Sequence, residues 1–167
     1  MQVECTTDNP YCQNRRIQTS QHYIIEKVEK FDTGEKGYGL RARENLRDDK
    51  IVCEYVGDRI SQSEYERQKK EYQKLNIPHW YITKLEDFYV DVTMQVHLDD
   101  YNHSCEPKCR LEAWSVNGEV QAAIYTDQNI NKGMEITFDY HYEPGPDEQP
   151  QICICGADNC KRLLDQE

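Results

Sequence analysis

The sequence predicts a mainly β fold built from several short sheets, with one or two helices and small cysteine-based modules at both ends. Three observations predict it. Short β-branched segments with alternating apolar and polar residues recur from residue 22 onward. Helix chemistry is concentrated in one segment. Three of the eight Cys crowd into residues 153–160, and Cys5 and Cys12 lie near the start.

Residues 1–21 are polar and without periodicity. Strands are expected at Tyr23–Lys27, Tyr38–Ala42, Ile51–Ile60, Tyr81–Leu85, Phe88–Val92, Arg110–Ser115, Val120–Thr126 and Glu135–Asp139. Asn117-Gly118 joins two of these as a two-residue hairpin, because both residue types tolerate positive φ. The helix begins at the capping box Ser61-Gln-Ser-Glu64 and continues through good helix formers to Leu75. Tyr65, Tyr72 and Leu75 give it a narrow apolar stripe, so it is expected to lie on a sheet surface. Pro78 closes the following loop. Glu143–Pro150 holds three Pro and a Gly and reads as an irregular linker. At 167 residues the chain suits one domain with appendages, divided here into 1–21, 22–142 and 143–167.

Lys and Arg number 20 against 31 Asp and Glu, a net charge of −11. Such a chain repels phosphate backbones and attracts basic partners, so sequence-specific nucleic acid is not expected as a direct partner. No stretch approaches the roughly 20 apolar residues of a membrane-spanning helix, and no membrane association is expected. The start, Met1-Gln-Val-Glu-Cys5, has no basic region followed by an apolar run, so a secretory leader is not expected. Without one, a framework of disulfides loses its usual compartment.

The strongest local signal is Cys153-Ile-Cys155-Gly-Ala-Asp-Asn-Cys160. Three thiols this close, with a Gly to turn the backbone, suit tetrahedral zinc better than a disulfide. A closed site needs a fourth ligand, and Cys105, Cys109, His103 and His141 are the candidates. A second signal is Asn102-His103-Ser104-Cys105-Glu106-Pro107. A cysteine-hydrolase reading of its His and Cys is weak, because a His two residues before a Cys rarely presents its nitrogen to that sulfur. A third is Lys36-Gly37-Tyr38-Gly39, which lacks the third Gly of a dinucleotide fingerprint. A fourth is Glu135–Tyr140, where Phe138 and Tyr140 share a strand face; Tyr81 adds to a possible aromatic cluster.

Taken together and in this order, the motifs resemble the SET-domain protein lysine methyltransferases over nearly the whole chain. Lys36–Ala42 is similar to the opening SET motif, Cys53–Gly57 to the strand after it, and Phe88–Thr93 to the "D-A-T" segment. Asn102–Pro107 resembles the N-H-S-C-x-P motif and Ile136–Tyr140 the catalytic strand, while Cys153–Cys160 is similar to the post-SET zinc module. Cys12–Gln18 resembles the end of the AWS module, here degenerate or truncated because it retains only Cys5 and Cys12. With the hairpin at Trp114–Gly118, the arrangement is most similar to methyltransferases acting on lysine 36 of histone H3.

The resemblance implies a mainly β SET fold around a pseudoknot and S-adenosylmethionine as cofactor. Cofactor contacts carried over are Lys36, Gly37, Tyr38, His79, Trp80, Tyr81, Asn102, His103, Gln151 and Ile154. It implies structural zinc on Cys105, Cys153, Cys155 and Cys160, leaving Cys53 and Cys109 as buried or spare thiols. Tyr140 would orient the amine, with Tyr81 and Phe138 walling the channel. Phe138 lacks a hydroxyl, which implies a di- or trimethylated product. The implied partner is a basic histone tail or nucleosome, met by a monomer in the nucleus, on chromatin. The stretch Val96–Tyr101 departs from the family's G-N-x-x-R-F-x-N-H-S-C: it is one residue shorter and places Asp99 and Asp100 where a cation and an aromatic are expected. A catalytically silent SET domain that binds histone tails or chromatin partners is the alternative.

Overall fold

A computed structural model describes residues 1–7, 9, 11–19, 23–75, 82–85, 88–92, 100–142 and 151–164. The described residues form three small sheets that share one core, with two helices at the edges.

The chain opens with β1 (Gln2–Val3) and a short helix, α1 (Arg16–Thr19). Neither was signalled by periodicity, because tertiary contacts make them. β1 pairs in parallel with the edge of a later strand, placing Gln2 opposite Trp114. The buried Glu4 carboxylate accepts from the backbone N–H of Ile17 at 2.6 Å and of Gln18 at 3.1 Å, satisfying the exposed start of α1.

The expected strand at Tyr23–Lys27 is corrected to a single 3₁₀ turn at Ile25–Lys27, closed by Lys27 N–H on the Ile24 carbonyl. The strand starts one residue later, as β2 (Val28–Gly34), and pairs antiparallel with β3 (Gly37–Ala42), Val28 opposite Ala42. The acidic and basic residues of β2 hid its alternation.

The single strand expected at Ile51–Ile60 is two, β4 (Ile51–Glu54) and β5 (Asp58–Ile60), and they serve different sheets. Gly57 sits at the crossover. A Cβ there would lie 2.5 Å from the Asp91 carbonyl and within 2.8 Å of Val90 and Val92, so only Gly lets the backbones pass.

Helix α2 (Gln62–Lys74) begins as expected, with the Ser61 hydroxyl accepting from Glu64 N–H at 3.3 Å. The Glu64 carboxylate turns outward to Arg67 and Gln68. Tyr65 is buried and stacks on Tyr89 at 4.3 Å, Tyr72 donates its hydroxyl to Asp91 at 2.8 Å, and Gln62 accepts from the Tyr89 hydroxyl at 2.9 Å, whereas Leu75 is exposed; these contacts lay the helix on the sheet.

Strands β6 (Ile82–Leu85) and β7 (Phe88–Asp91) form a hairpin that completes the sheet β5-β7-β6. Next come β8 (Asn102–His103), β9 (Cys109–Val116), β10 (Glu119–Thr126) and β11 (Glu135–Phe138). Asn117 and Gly118 both take positive φ, 53° and 85°, as the hairpin reading requires. The remaining sheets run β1-β9-β10-β4 and β2-β3-β11-β8. Phe138, Tyr101, Val52, Ile124 and Ile136 are at most 2% exposed and knit the sheets together. The mainly β class is therefore the observed one. Among the described residues no helix is long and apolar enough to cross a membrane.

Gly57→Ala is expected to cost about 1–3 kcal/mol, because backbone on both sides blocks the added methyl. Urea denaturation of metal-replete protein measures it, and an unchanged midpoint would contradict the packing at this crossover.

Candidate active site

The site is organised by two residues of parallel pairing. Asn102 of β8 lies opposite Thr137 of β11, and His103 opposite Phe138. Ser104 N–H then bonds the Phe138 carbonyl at 3.2 Å. The N-H-S-C segment and β11 thus run side by side.

Tyr140, just beyond β11, is fixed at both ends. Its hydroxyl donates to the Tyr101 carbonyl at 2.6 Å, and its backbone N–H donates to His103 Nδ1 at 3.3 Å. Burial holds the His103 imidazole below its ordinary titration range, although Asp139 pulls the other way. A neutral ring accepting at Nδ1 carries its proton on Nε2, which faces Cys105 Sγ at 3.4 Å. Phe138 packs behind Tyr140 in the core, its ring centroid 5.2 Å away, with Tyr101 and Tyr55 edge-on to it.

In front of Tyr140 lies a cavity of about 410 Å³, within the range of small-ligand pockets. Lys36, Gly37, Tyr38, Asn102, His103 and Ile154 all line it. Lys36 Nζ is ion-paired with Glu135 at 2.5 Å, and Asn102 Nδ2 donates to the same carboxylate at 2.8 Å and to the Tyr38 carbonyl at 3.0 Å. A Cβ on Gly39 would lie within 2.8 Å of both Asn102 and Glu135, so the second Gly of the opening motif makes room for this network. Gln151 lies outside the cavity wall, with its amide directed to the Tyr142 hydroxyl at 3.3 Å. His79, Trp80 and Tyr81 fall outside the described residues.

Sequence reasoning missed Lys30, Glu35, Ile152 and Leu164 as wall residues, and read Asp100 only as a departure. The alternation of Ile152 and Ile154 about Cys153 was a usable signal for the tail residues. Lys30 had none, because its strand was misplaced.

The tail closes one side of the cavity, and the thiols explain how it is held. The sulfurs of Cys105, Cys153, Cys155 and Cys160 lie within 4.8 Å of one another, although Cys105 is 48 positions from Cys153 in the chain. Cys105 and Cys153 sulfurs are 3.7 Å apart, close to the roughly 3.8 Å edge of a tetrahedron with 2.3 Å metal–sulfur bonds. Backbone N–H groups of Lys161 and Arg162 point at Cys105 and Cys160 sulfurs at 3.4 Å, and that of Ala157 at Cys155 at 3.5 Å. Such donors stabilise thiolates. Burial pushes the Cys153 thiol up to about 12; burial also opposes ionisation of Cys155, but N–H donors from Cys105 and Ala157 pull it down to about 6. Four thiols this close cannot all ionise without a cation among them, so the donor set fits a divalent metal ion. The other three candidates for the fourth ligand are not part of the cluster: Cys109 is buried elsewhere, His141 is exposed, and His103 faces the Cys105 sulfur at 3.4 Å without joining the four thiols. Burial pushes Cys53 up to about 11 and Cys109 up to about 12, which keeps both as protonated core thiols.

The mainly β fold, the Asn-His strand beside the Tyr140 strand and the four-thiol tail together define a domain with a ligand-sized cavity closed by a knot of four thiols able to hold a metal. Residues 37–141 match the SET domain family, and the chain belongs to that family. It is 36% identical over 172 residues to histone-lysine N-methyltransferase SETD2 of Homo sapiens, covering 100% of this chain and 7% of that protein. It is 38% identical over 155 residues to histone-lysine N-methyltransferase ASHH2 of Arabidopsis thaliana, covering 92% of this chain and 9% of that one. A histone-lysine N-methyltransferase described as H3 lysine-36 specific, from Emericella nidulans, is 35% identical over 168 residues, covering 97% and 17%. The chain therefore spans less than a fifth of the length of these three relatives.

Elemental analysis of the purified protein is expected to find one divalent metal ion per chain, and Cys105→Ser protein to lose it on dialysis. Chelation should expose residues 151–164 to proteolysis, since the binding energy of such an ion is also folding energy. A chelated sample with an unchanged cleavage pattern would contradict the knot.

Proposed function

We propose that the chain is the catalytic domain of a protein lysine N-methyltransferase, using S-adenosylmethionine and acting on a basic histone tail, at lysine 36 of histone H3. The observation that carries this reading is Tyr140: a phenol pinned by the Tyr101 carbonyl and His103 at the wall of a ligand-sized cavity. The printed names of the relatives support the substrate class. The net charge of −11 supports a basic partner, met in the nucleus, on chromatin, by a monomeric domain.

The organisation proposed is an AWS-like segment at 1–21, a SET domain at 22–142, and a linker with a post-SET module at 143–167. The metal would be zinc, held by Cys105, Cys153, Cys155 and Cys160, all thiolate donors as that ion prefers. The residues present also fit S-adenosylmethionine. The cavity offers cations, carboxylates, aromatic faces and the aliphatic Ile152, Ile154 and Leu164 to a ligand that is zwitterionic at one end and aromatic at the other.

When bound, the cofactor supplies an electrophilic methyl group. The chain has two tasks. The first is to strip a proton from the substrate lysine, which costs about 4.6 kcal/mol at pH 7 for an ordinary amine. Burial beside aromatic walls disfavours the ammonium and lowers that cost. The second is alignment, where Tyr140 orients the amine through its fixed hydroxyl and Asn102, Lys36 and Gly37 hold the cofactor. Tyr81 would wall the lysine channel, with Phe138 backing it from behind Tyr140, and His79, Trp80 and Ile154 would complete the cofactor contacts. With no second hydroxyl at Phe138, a di- or trimethylated product fits the channel.

A silent binding domain is the second reading, favoured by the departure at Val96–Tyr101. The Asp100 carboxylate, however, is ion-paired at 2.6 Å by Lys30, so this Asp does not stand as an uncompensated charge in the cavity.

Mass spectrometry of nucleosomes incubated with the protein and S-adenosylmethionine is expected to find two or three methyl groups on lysine 36 of histone H3. Tyr140→Phe should lower turnover by about 100-fold or more while cofactor affinity changes little. Peptide binding without methyl incorporation would support the silent domain; monomethyl product alone would remove the Phe138 argument.

A further inference from the structure

The cavity wall contains a charged pair that the site's motifs do not explain. Asp100 is 3% exposed and lies on the segment where this chain departs from the family spacing. A buried carboxylate requires a cation, and Lys30 of β2 supplies it at 2.6 Å. Lys30 Nζ also sits over the Tyr38 ring, 4.3 Å from its centroid. Both charged residues and Tyr38 line the cavity.

The two cations of the described wall are placed differently. Lys36 is committed to Glu135 and its side chain is only 18% exposed. Lys30 is anchored by Asp100 on one side and Tyr38 on another, yet keeps 46% exposure. An ammonium has three donors, so a fixed Lys that remains half-exposed can bridge its internal anchor to a ligand anion.

Resting on the methyltransferase reading, we propose that Lys30 is a specificity-determining residue that binds the carboxylate of the cofactor's amino-acid end, with Asp100 as its positioning residue. The pair gives this chain, at its divergent segment, a cation aimed into the cavity from β2. It selects nucleoside ligands that carry an amino acid over those that do not.

Calorimetry with two ligands tests this without turnover: S-adenosylhomocysteine, and S-adenosyl-3-thiopropylamine, which lacks only the carboxylate. In the wild type the decarboxylated ligand is expected to bind at least about tenfold more weakly, the scale of a charge-assisted hydrogen bond. In Lys30→Met the two ligands should bind within about twofold of each other, and Lys30→Arg should restore the preference. Lys30→Gln, which keeps the stem and a polar end, should behave as Lys30→Met and stands in for it if the apolar variant fails to fold. An undiminished preference in Lys30→Met or Lys30→Gln overturns the proposal while leaving the methyltransferase reading intact. A wild-type protein that binds neither ligand overturns both.

Discussion

Two residues of parallel ladder hold this site together. Asn102 and His103 pair with Thr137 and Phe138, and Cys105, Glu135 and Tyr140 each lie two positions from that contact. Asn102 reaches Glu135 and Tyr38 from it, His103 receives the Tyr140 N–H, and Cys105 emerges two residues later to meet the tail. A slip of one residue would turn these side chains to opposite faces. Core burial prevents the slip: Tyr101 precedes the short strand and is 1% exposed, and Ile136 and Phe138 are no more than 2% exposed on the facing strand.

The thiol knot depends on this ladder and extends it. Cys105 is delivered by β8, whereas Cys153, Cys155 and Cys160 come from a tail with little core of its own: Ile152 is 76% exposed. Hydrophobic burial cannot hold such a segment, so a metal on sulfur is the physical means available to it. The cavity wall contributed by Ile152, Ile154 and Leu164 exists only while the knot does. A metal held by the four thiols would then be thermodynamically linked to any ligand in the cavity, although no shared atom joins them.

Much of this was legible in the residues. The C-x-C-x₄-C run announced a metal site, the Asn-Gly turn set the β9–β10 register, and Ser61 marked the start of α2. What escaped was structure made by distant partners. β1 and α1 exist because β9 offers an edge and Glu4 satisfies two amides, and neither fact leaves a periodic trace. Ile51–Ile60 reads as one strand because β-propensity is continuous across it; the break at Gly57 comes from Asp91 and its neighbours pressing on the backbone. Lys30 escaped for the same reason. A charged residue on a half-exposed strand looks like surface until a buried Asp is found behind it.

That pairing bears on the chemistry as well as on the fold. A substrate lysine loses its proton more readily where no carboxylate stands ready to stabilise the ammonium. The two carboxylates that meet Asn102 or lie beside it on the cavity wall each hold an internal cation: Glu135 holds Lys36 and Asp100 holds Lys30. Neutralised in pairs, they can shape and orient the cavity without adding the negative potential that would keep an incoming amine protonated. On the proposed function, long-range attraction would draw a basic tail to the protein, while Tyr140 itself meets a neutral imidazole, a phenyl ring and a backbone carbonyl. Cysteine 53, whose sulfur lies 3.1 Å from the Tyr101 hydroxyl, fits the same pattern, since burial keeps its thiol protonated. If the site takes a lysine as proposed, these neighbours would favour the neutral amine by withholding counter-charge, with no strong base required beside it.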